Sequence, residues 1–351
     1  MTSTPVRIGI IGAGRMGTQH AGFIARDENA VLVGVADPQS DLLSTRSSVP
    51  HYRDHHELLE KSDVDAVIIA NPNNAHVDTA LDCIHAGIPA LLEKPVAVTF
   101  AEATRLTQAV REKNAVVLVG HHRRHHPAVA AAREIILGGG IGQLVAVNGV
   151  WMARKPDDYF EHSWHREKGA GVMLINLVHD LDLMRHMCGE ITAVQAVTSN
   201  MVRGHEVEDT AAVIVTFASG AVGTFTVSDA TVAPWGWDQV TEDDPTFPYR
   251  PDTSCYSIAG TEGSLAFPQL KHYYYGGRAD WTQPLSARYD PRSIGDSYTN
   301  QMAHFISVVR GETAPLVTVE DAAATLALIE AAHNAAETGT LTTITAQESL
   351  V

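Results

Sequence analysis

"VRIGIIGAGRMG" (Val6–Gly17) decides the fold. Its first six residues, rich in β-branched side chains, read as a buried strand. Gly12-x-Gly14-x-x-Gly17 follows at once and opens a helical pattern that also takes in Arg15 and Met16. Each glycine has its own role. Gly12 permits a tight turn, Gly14 lets the backbone approach a pyrophosphate, and Gly17 allows close packing of helix on strand. The helix N-terminus then offers unpaired N–H donors and a partial positive charge to phosphates. Glycines recur in turns, so the motif alone is a weak signal. Here it is joined by a strand before, a helix after, and an acid at the end of the next strand. That acid is Asp37, 20 residues beyond Gly17, where a carboxylate can accept both ribose hydroxyls of NAD. The same charge repels a 2′-phosphate, and Ala36 and Pro38 supply no cation. NAD is therefore expected and NADP disfavoured, with Arg46 as the one cation able to swing in.

Outward from this stretch, β-branched runs alternate with helical patterns: "VLVGVA" (31–36), "AVIIA" (66–70), "PALL" (89–92) and "VVLVG" (116–120). Such alternation implies a parallel sheet covered on both faces. "TFAE" (99–102) carries a capping-box pattern at one helix start. After "GHHRRHHP" (120–127) the pattern changes. A helix over "PAVAAAREIIL" stops at "GGG", and then strands follow strands, two of them joined by a tight "SG" turn at 219–220. Two helical patterns, near 298–310 and 319–337, precede a last short strand, "LTTI". The spacing predicts a doubly wound Rossmann domain of class α/β over residues 1–121. An α+β domain with a large, mostly antiparallel sheet is predicted over 122–351. One irregular segment, 233–252, is long enough to be functional or mobile. Its two tryptophans argue for packing against a ligand, a lid or another subunit.

The chain has 351 residues and a formal charge of −16. That charge disfavours nucleic acid and anionic lipid as partners and leaves a small-molecule substrate. No apolar run approaches the ~20 residues of a membrane span. The N-terminus lacks the pattern of a secretory signal, so a cytoplasmic protein is expected. Cys83, Cys188 and Cys255 are far apart and odd in number, and read as reduced, mostly buried thiols.

"NPNNAHVDTALDCIHAGIPALLEKP" (71–95), taken with the glycine fingerprint, resembles the signature stretch of the Gfo/Idh/MocA oxidoreductases. The likeness extends through "GHHRRHHP" and "GAGVMLINLVHDLDL" (169–183), so it covers about the whole chain. It implies that Asn71, Pro72, Asn73, His76 and Glu93 line the cofactor. It implies that Lys94 lies beside the nicotinamide and the reacting hydroxyl, and that His179 is the base taking the alcohol proton. Without the resemblance, Lys94 reads first as a solvated loop lysine, and His179 equally as a satisfied core histidine. The family pattern Asp-x-x-x-His has Ile175 at the aspartate position. Asn176, one residue on, can hold a hydroxyl but cannot be a base, so proton handling falls to His179 and Lys94. The resemblance also suggests homodimers or homotetramers formed through the second domain's sheet.

The histidine–arginine cluster has two readings. Adjacent histidines in an extended segment point to opposite faces, and no carboxylate or thiol joins them at ligand spacing, so no metal is expected. Instead the segment links the domains along the cofactor cleft, with Arg123 or Arg124 facing it. Lys155, Tyr159, Trp164 and His165 are expected on the substrate side, with Arg154 and Arg166 nearby. Many cations suggest a carboxylated or polyhydroxylated substrate; ion pairing within the protein is the alternative. The expected activity is NAD-dependent oxidation of a secondary alcohol on a sugar, cyclitol or related ring. An NAD-using glycosidase working through transient oxidation and elimination is the rival, and a non-enzymatic NAD-bound sensor a third.

Overall fold

A computed structural model describes residues 4–344. The chain forms two compact units. The first runs to His122 and also takes Tyr298–Leu326; the second is Arg123–Ser297 with the described chain from Ala327 to Ile344. The cut at 122/123 lies where the sequence pattern changes. The return of Tyr298–Leu326 to the first unit departs from the expected single boundary. Backbone pairing carries it, with Val119 N–H donating to the Val317 carbonyl at 3.0 Å.

The first unit holds β1 (Val6–Ile11), β2 (Ala30–Ala36), β3 (His51–Tyr52), β4 (Ala66–Ile69), β5 (Ala90–Leu92) and β6 (Val117–Val119). Between them lie α1 (Arg15–Ile24), α2 (Leu42–Ser47), α3 (His55–Lys61), α4 (His76–Ala86) and α5 (Phe100–Lys113). The strands are parallel, in the order β3-β2-β1-β4-β5-β6. This is the doubly wound order, with its switch point between β1 and β4. Ile8, Ile10, Ile68, Ile69, Leu91 and Leu118 are fully buried, each worth roughly 1.5–3 kcal/mol relative to exposure. The capping box is present, Thr99 and Glu102 each accepting the other's backbone N–H.

The second unit begins with α6 (Pro127–Leu137) and β7 (Leu144–Arg154). A π-helical turn, Met173–Leu177, runs into α7 (Val178–Cys188). Then come β8 (Ile191–Ser199), β9 (Thr210–Phe217), β10 (Val222–Ser228), β11 (Ala230–Trp235), α8 (Trp237–Val240), β12 (Tyr256–Gly260), β13 (Gly263–Phe267), β14 (Lys271–Tyr274) and β15 (Ser286–Tyr289). In chain order α9 (Ser297–Val309), which after Ser297 belongs to the first unit, and α10 (Val319–Thr338), which the two units divide after Leu326, precede β16 (Thr342–Thr343). The sheet runs β15-β14-β13-β12-β7-β10-β9-β8-β16, with β11 on β7. It is antiparallel except where β10 lies parallel to β7. β9 shows why one face is core: Ala211, Val213, Val215 and Phe217 are buried, while Ala212 and Ile214 face out. The irregular segment is anchored by Trp237, which is fully buried. Its indole donates to Asp243, whose carboxylate also accepts from Ser297. Its second tryptophan, Trp235, remains half exposed.

Candidate active site

Parallel pairing brings the predicted cofactor residues to one edge of the first sheet. β2, β1, β4 and β5 are neighbours, and their carboxyl ends lead directly into Asp37, Gly12, Asn71 and Glu93–Lys94. Strands stand ~4.8 Å apart, so the row spans about 14 Å. It lies where ligands bind in open α/β sheets.

The glycine turn has the shape the fingerprint requires. Gly12 has φ +98°, and a Cβ there would lie 2.5 Å from the Ala70 carbonyl oxygen. A Cβ on Gly17 would run into the Gly12 carbonyl oxygen. Gly14 is different: nothing lies within 4 Å of where its Cβ would be. It caps α1 without a side-chain acceptor, and no acid stands in the first turn. The space beside Gly14 at this helix N-terminus is open, as an incoming phosphate needs. Arg15 is exposed and Met16 half-buried beside them. The Asp37 carboxylate accepts from Ala13 N at 2.8 Å, and from Gln39 N and Ser40 N at 2.8 and 2.9 Å. It thus fixes the glycine turn as well as offering charge.

Next along the edge, the Asn71 amide donates to Thr79 Oγ1 at 2.9 Å. Its buried Oδ1 has no partner among the described residues, an acceptor left for a ligand. Pro72 and Asn73 carry the turn outward. His76 sits between two carbonyls, Nδ1 2.8 Å from Pro95 O and Nε2 3.0 Å from Asn71 O. Burial holds its pKa below the ordinary value against those carbonyls and Glu93. The ring joins the Asn71 turn to the segment bearing Lys94. Glu93 is fully buried and accepts from His20 Nε2 at 2.7 Å. Burial pushes its pKa up, but the His20 hydrogen bond and nearby positive charge outweigh that, and the carboxyl ends below its usual range. His20, one turn into α1, was not foreseen; nothing in its spacing points 73 residues ahead. Lys94 is half-buried, its backbone N–H held by Glu93 Oε2 at 3.2 Å. The charged pair therefore splits: the acid is a buried brace and the ammonium stands at the edge.

In the second unit, Lys155, just past β7, donates to Asn176 Oδ1 at 2.8 Å and lies 3.3 Å from Asp229. Burial lowers its pKa, opposed by Asp229. Arg203 Nε donates to the same Asp229 at 2.7 Å. Tyr159 lies under Lys155 and stacks on His165 at 3.9 Å between ring centres. Lys155, Tyr159, His165, Ile175, Arg203 and Asp229 line one small pocket. Three predicted substrate residues thus come together, and Asn176 joins them through Lys155. Trp164, packed on His165 at 3.7 Å but half exposed, and His179, buried on α7, are not among its walls. The apolar Ile175 is. The π-turn ending just before His179 breaks the 3.6-residue register expected there, a distortion found often at functional sites.

The arginines depart from expectation. Arg123 Nη1 donates to Asp180 at 3.0 Å, and Arg124 grips Asp182 through two bonds of 2.8 and 2.6 Å. Both side chains are 3% exposed. Arg123, read as touching cofactor and substrate, instead has its charge committed to α7. The reason is burial: a guanidinium out of water requires a carboxylate, and α7 supplies two beside His179. Arg154, by contrast, is exposed.

Comparison with known proteins matches this geometry. Residues 6–121 fit the family model for the NAD-binding Rossmann fold of the GFO/IDH/MocA oxidoreductases, and residues 133–345 fit that of the C-terminal alpha/beta domain. The chain belongs to this family. It is an NAD(P)-dependent oxidoreductase. It is similar to the myo-inositol 2-dehydrogenase of Thermotoga maritima, 27% identical over 346 residues, covering 95% of this chain and 96% of that one. The scyllo-inositol 2-dehydrogenase (NAD(+)) of Bacillus subtilis is 27% identical over 352 residues, covering 95% of each. Among solved structures, a levoglucosan dehydrogenase in complex with NADH superposes with TM-score 0.79 at 23% identity, over 97% of this chain and 100% of that one.

Proposed function

We propose that this protein is an NAD-dependent dehydrogenase oxidising a secondary alcohol of a neutral polyhydroxy ring, a cyclitol or sugar. The observation that carries the reading is Lys94, held by the braced Glu93 at the same sheet edge as the open glycine turn. The inositol dehydrogenases among its relatives support the substrate class. Bound NAD supplies a hydride acceptor. The chain's own residues would bind it through Gly12, Gly14, Gly17, Asp37 and Asn71; the resemblance gives Lys94 the place beside the reacting hydroxyl and His179 the part of the base that takes its proton. The Asp37 carboxylate supports NAD over NADP, since it would face a 2′-phosphate.

The neutral substrate follows from pairing. Lys155 and Arg203 share Asp229, Arg123 has Asp180 and Arg124 has Asp182. Arg123 and Arg124 each have a carboxylate of their own, and Lys155 shares one with Arg203, so most of the positive charge that suggested a carboxylated ring is offset within the second unit. The sheet supports a homodimer or homotetramer: its outward face carries Val145, Val197, Ile214 and Val222, each about half exposed or more. No described helix is long and apolar enough to cross a membrane, and a cytoplasmic site of action fits the free cysteines.

The experiment is NADH release at 340 nm from a panel of inositols, sugars and their carboxylated analogues, with K94A and H179A alongside. Neutral rings are expected to turn over and both variants to lose kcat. Activity confined to carboxylated rings, or full activity in K94A, overturns the reading. A glycosidase would cleave substrate with no net NADH.

A further inference from the structure

We propose that His55 and His56 of α3, with Asp82 of α4, form a surface site for a divalent transition metal such as Zn²⁺. Both imidazoles approach the same carboxylate oxygen: His55 Nε2 is 2.9 Å and His56 Nε2 3.6 Å from Asp82 Oδ2. Zn–N and Zn–O distances near 2.0–2.2 Å in a tetrahedral site put ligand atoms about 3.3 Å apart. The two observed separations bracket that value. The 3.6 Å approach is too long for a hydrogen bond, so His56 points at Asp82 without bonding to it, leaving the gap a shared ion fills. The two rings lie 4.1 Å apart, tilted by 35°.

Asp54 completes the group. A ligand atom from each of Asp54, His55 and His56 lies within 4.8 Å of the others. Its Oδ1 stands 3.8 Å from His55 Nδ1, on the far side of that ring from Asp82. That oxygen accepts from His56 N at 2.7 Å, so Asp54 caps the turn that carries both imidazoles. Two imidazoles and one carboxylate select Zn²⁺, Ni²⁺ or Cu²⁺ over Ca²⁺ or Mg²⁺, which prefer all-oxygen shells. His56 and Asp54 are exposed and Asp82 half so, leaving room for water in the remaining position. None of these residues belongs to the cofactor set above. Cys83, next to Asp82, is fully buried and takes no part. No spacing rule reveals the site, because Asp82 lies 26 residues past His56 on another helix.

The test uses the full, untagged chain titrated with Zn²⁺ alone against a chromophoric chelator. Wild type is expected to bind one ion at this site, and H56N and D82N each to bind it at least ~10-fold more weakly. H56N alters an exposed side chain, so its melting temperature without metal should match wild type. Zn²⁺ should raise the melting temperature of wild type and leave that of H56N unmoved. The Cu²⁺-loaded protein should show two imidazole nitrogens in its electron paramagnetic resonance spectrum, and H56N one. Equal Zn²⁺ affinity in wild type and H56N overturns the site, whatever D82N does, as does failure of wild type to take up Zn²⁺.

Discussion

Replacing Arg124 by methionine removes one half of a fully buried ion pair. The guanidinium and carboxylate are 3% and 1% exposed and share two hydrogen bonds. Without the cation, Asp182 must stay charged in an apolar setting or take a proton. Breaking a buried pair in this way costs about 3–5 kcal/mol. Protonation gives a similar figure: a carboxyl of ordinary pKa near ~4 costs on the order of 4 kcal/mol to protonate at pH 7. Either is a large share of the ~5–15 kcal/mol that holds a domain together. Removing both charges should recover most of it, because a well-packed apolar pair is often neutral or better by ~1–4 kcal/mol. R124M should therefore be far less stable than R124M/D182L. The assay is urea unfolding followed by tryptophan fluorescence. All five tryptophans (Trp151, Trp164, Trp235, Trp237 and Trp281) lie in the second unit, so the signal reports the unit containing the pair. A loss below ~1 kcal/mol in R124M, or a double variant no better than the single one, refutes the reasoning.

Four further outcomes are expected. G14A should fold with an unchanged melting temperature, because its Cβ meets nothing within 4 Å and its φ is −68°. G17A, which meets the Gly12 carbonyl oxygen, should carry strain on the order of 3 kcal/mol and lose about 100-fold in NADH affinity by fluorescence titration; wild-type affinity in G17A refutes the account of the turn. Burial pushes the Asp180 carboxyl from 3.8 up to about 6 against the pull of Arg123. The folded state therefore holds that proton more tightly than the unfolded chain, and the stability it contributes is complete below ~4 and lost as pH rises to ~6. D180N should flatten that stretch of the stability–pH curve, and an unaltered slope counts against it. Burial raises the Cys83 and Cys188 thiols to about 12, and that of Cys255 well above its usual value. Ellman's reagent at pH 8 should find no reactive thiol in the native protein and three per chain in denaturant; rapid native reaction of any of them contradicts this.

Local chemistry was enough for the first unit. β-branched runs, a glycine turn and an acid at the next strand end act over a few residues, and parallel pairing follows from their alternation. The capping box at Thr99 and the strand Val6–Ile11 are legible for the same reason. The second unit was legible only in outline. The strands β13 to β15 are short and weakly patterned, and the π-turn before His179 breaks the period by which a helical face is read. Which cations stay available was a tertiary matter. Arg123, Arg124 and Lys155 look alike in sequence, yet each is committed to an aspartate that the fold delivers: Asp180, Asp182 and Asp229. His20 reached Glu93 in the same way. Residue type and spacing determined where a dinucleotide would bind, because that chemistry belongs to a strand end and a helix start. Only three-dimensional packing decided which charges were neutralised, because the cost of burying an ion depends on what stands beside it in space.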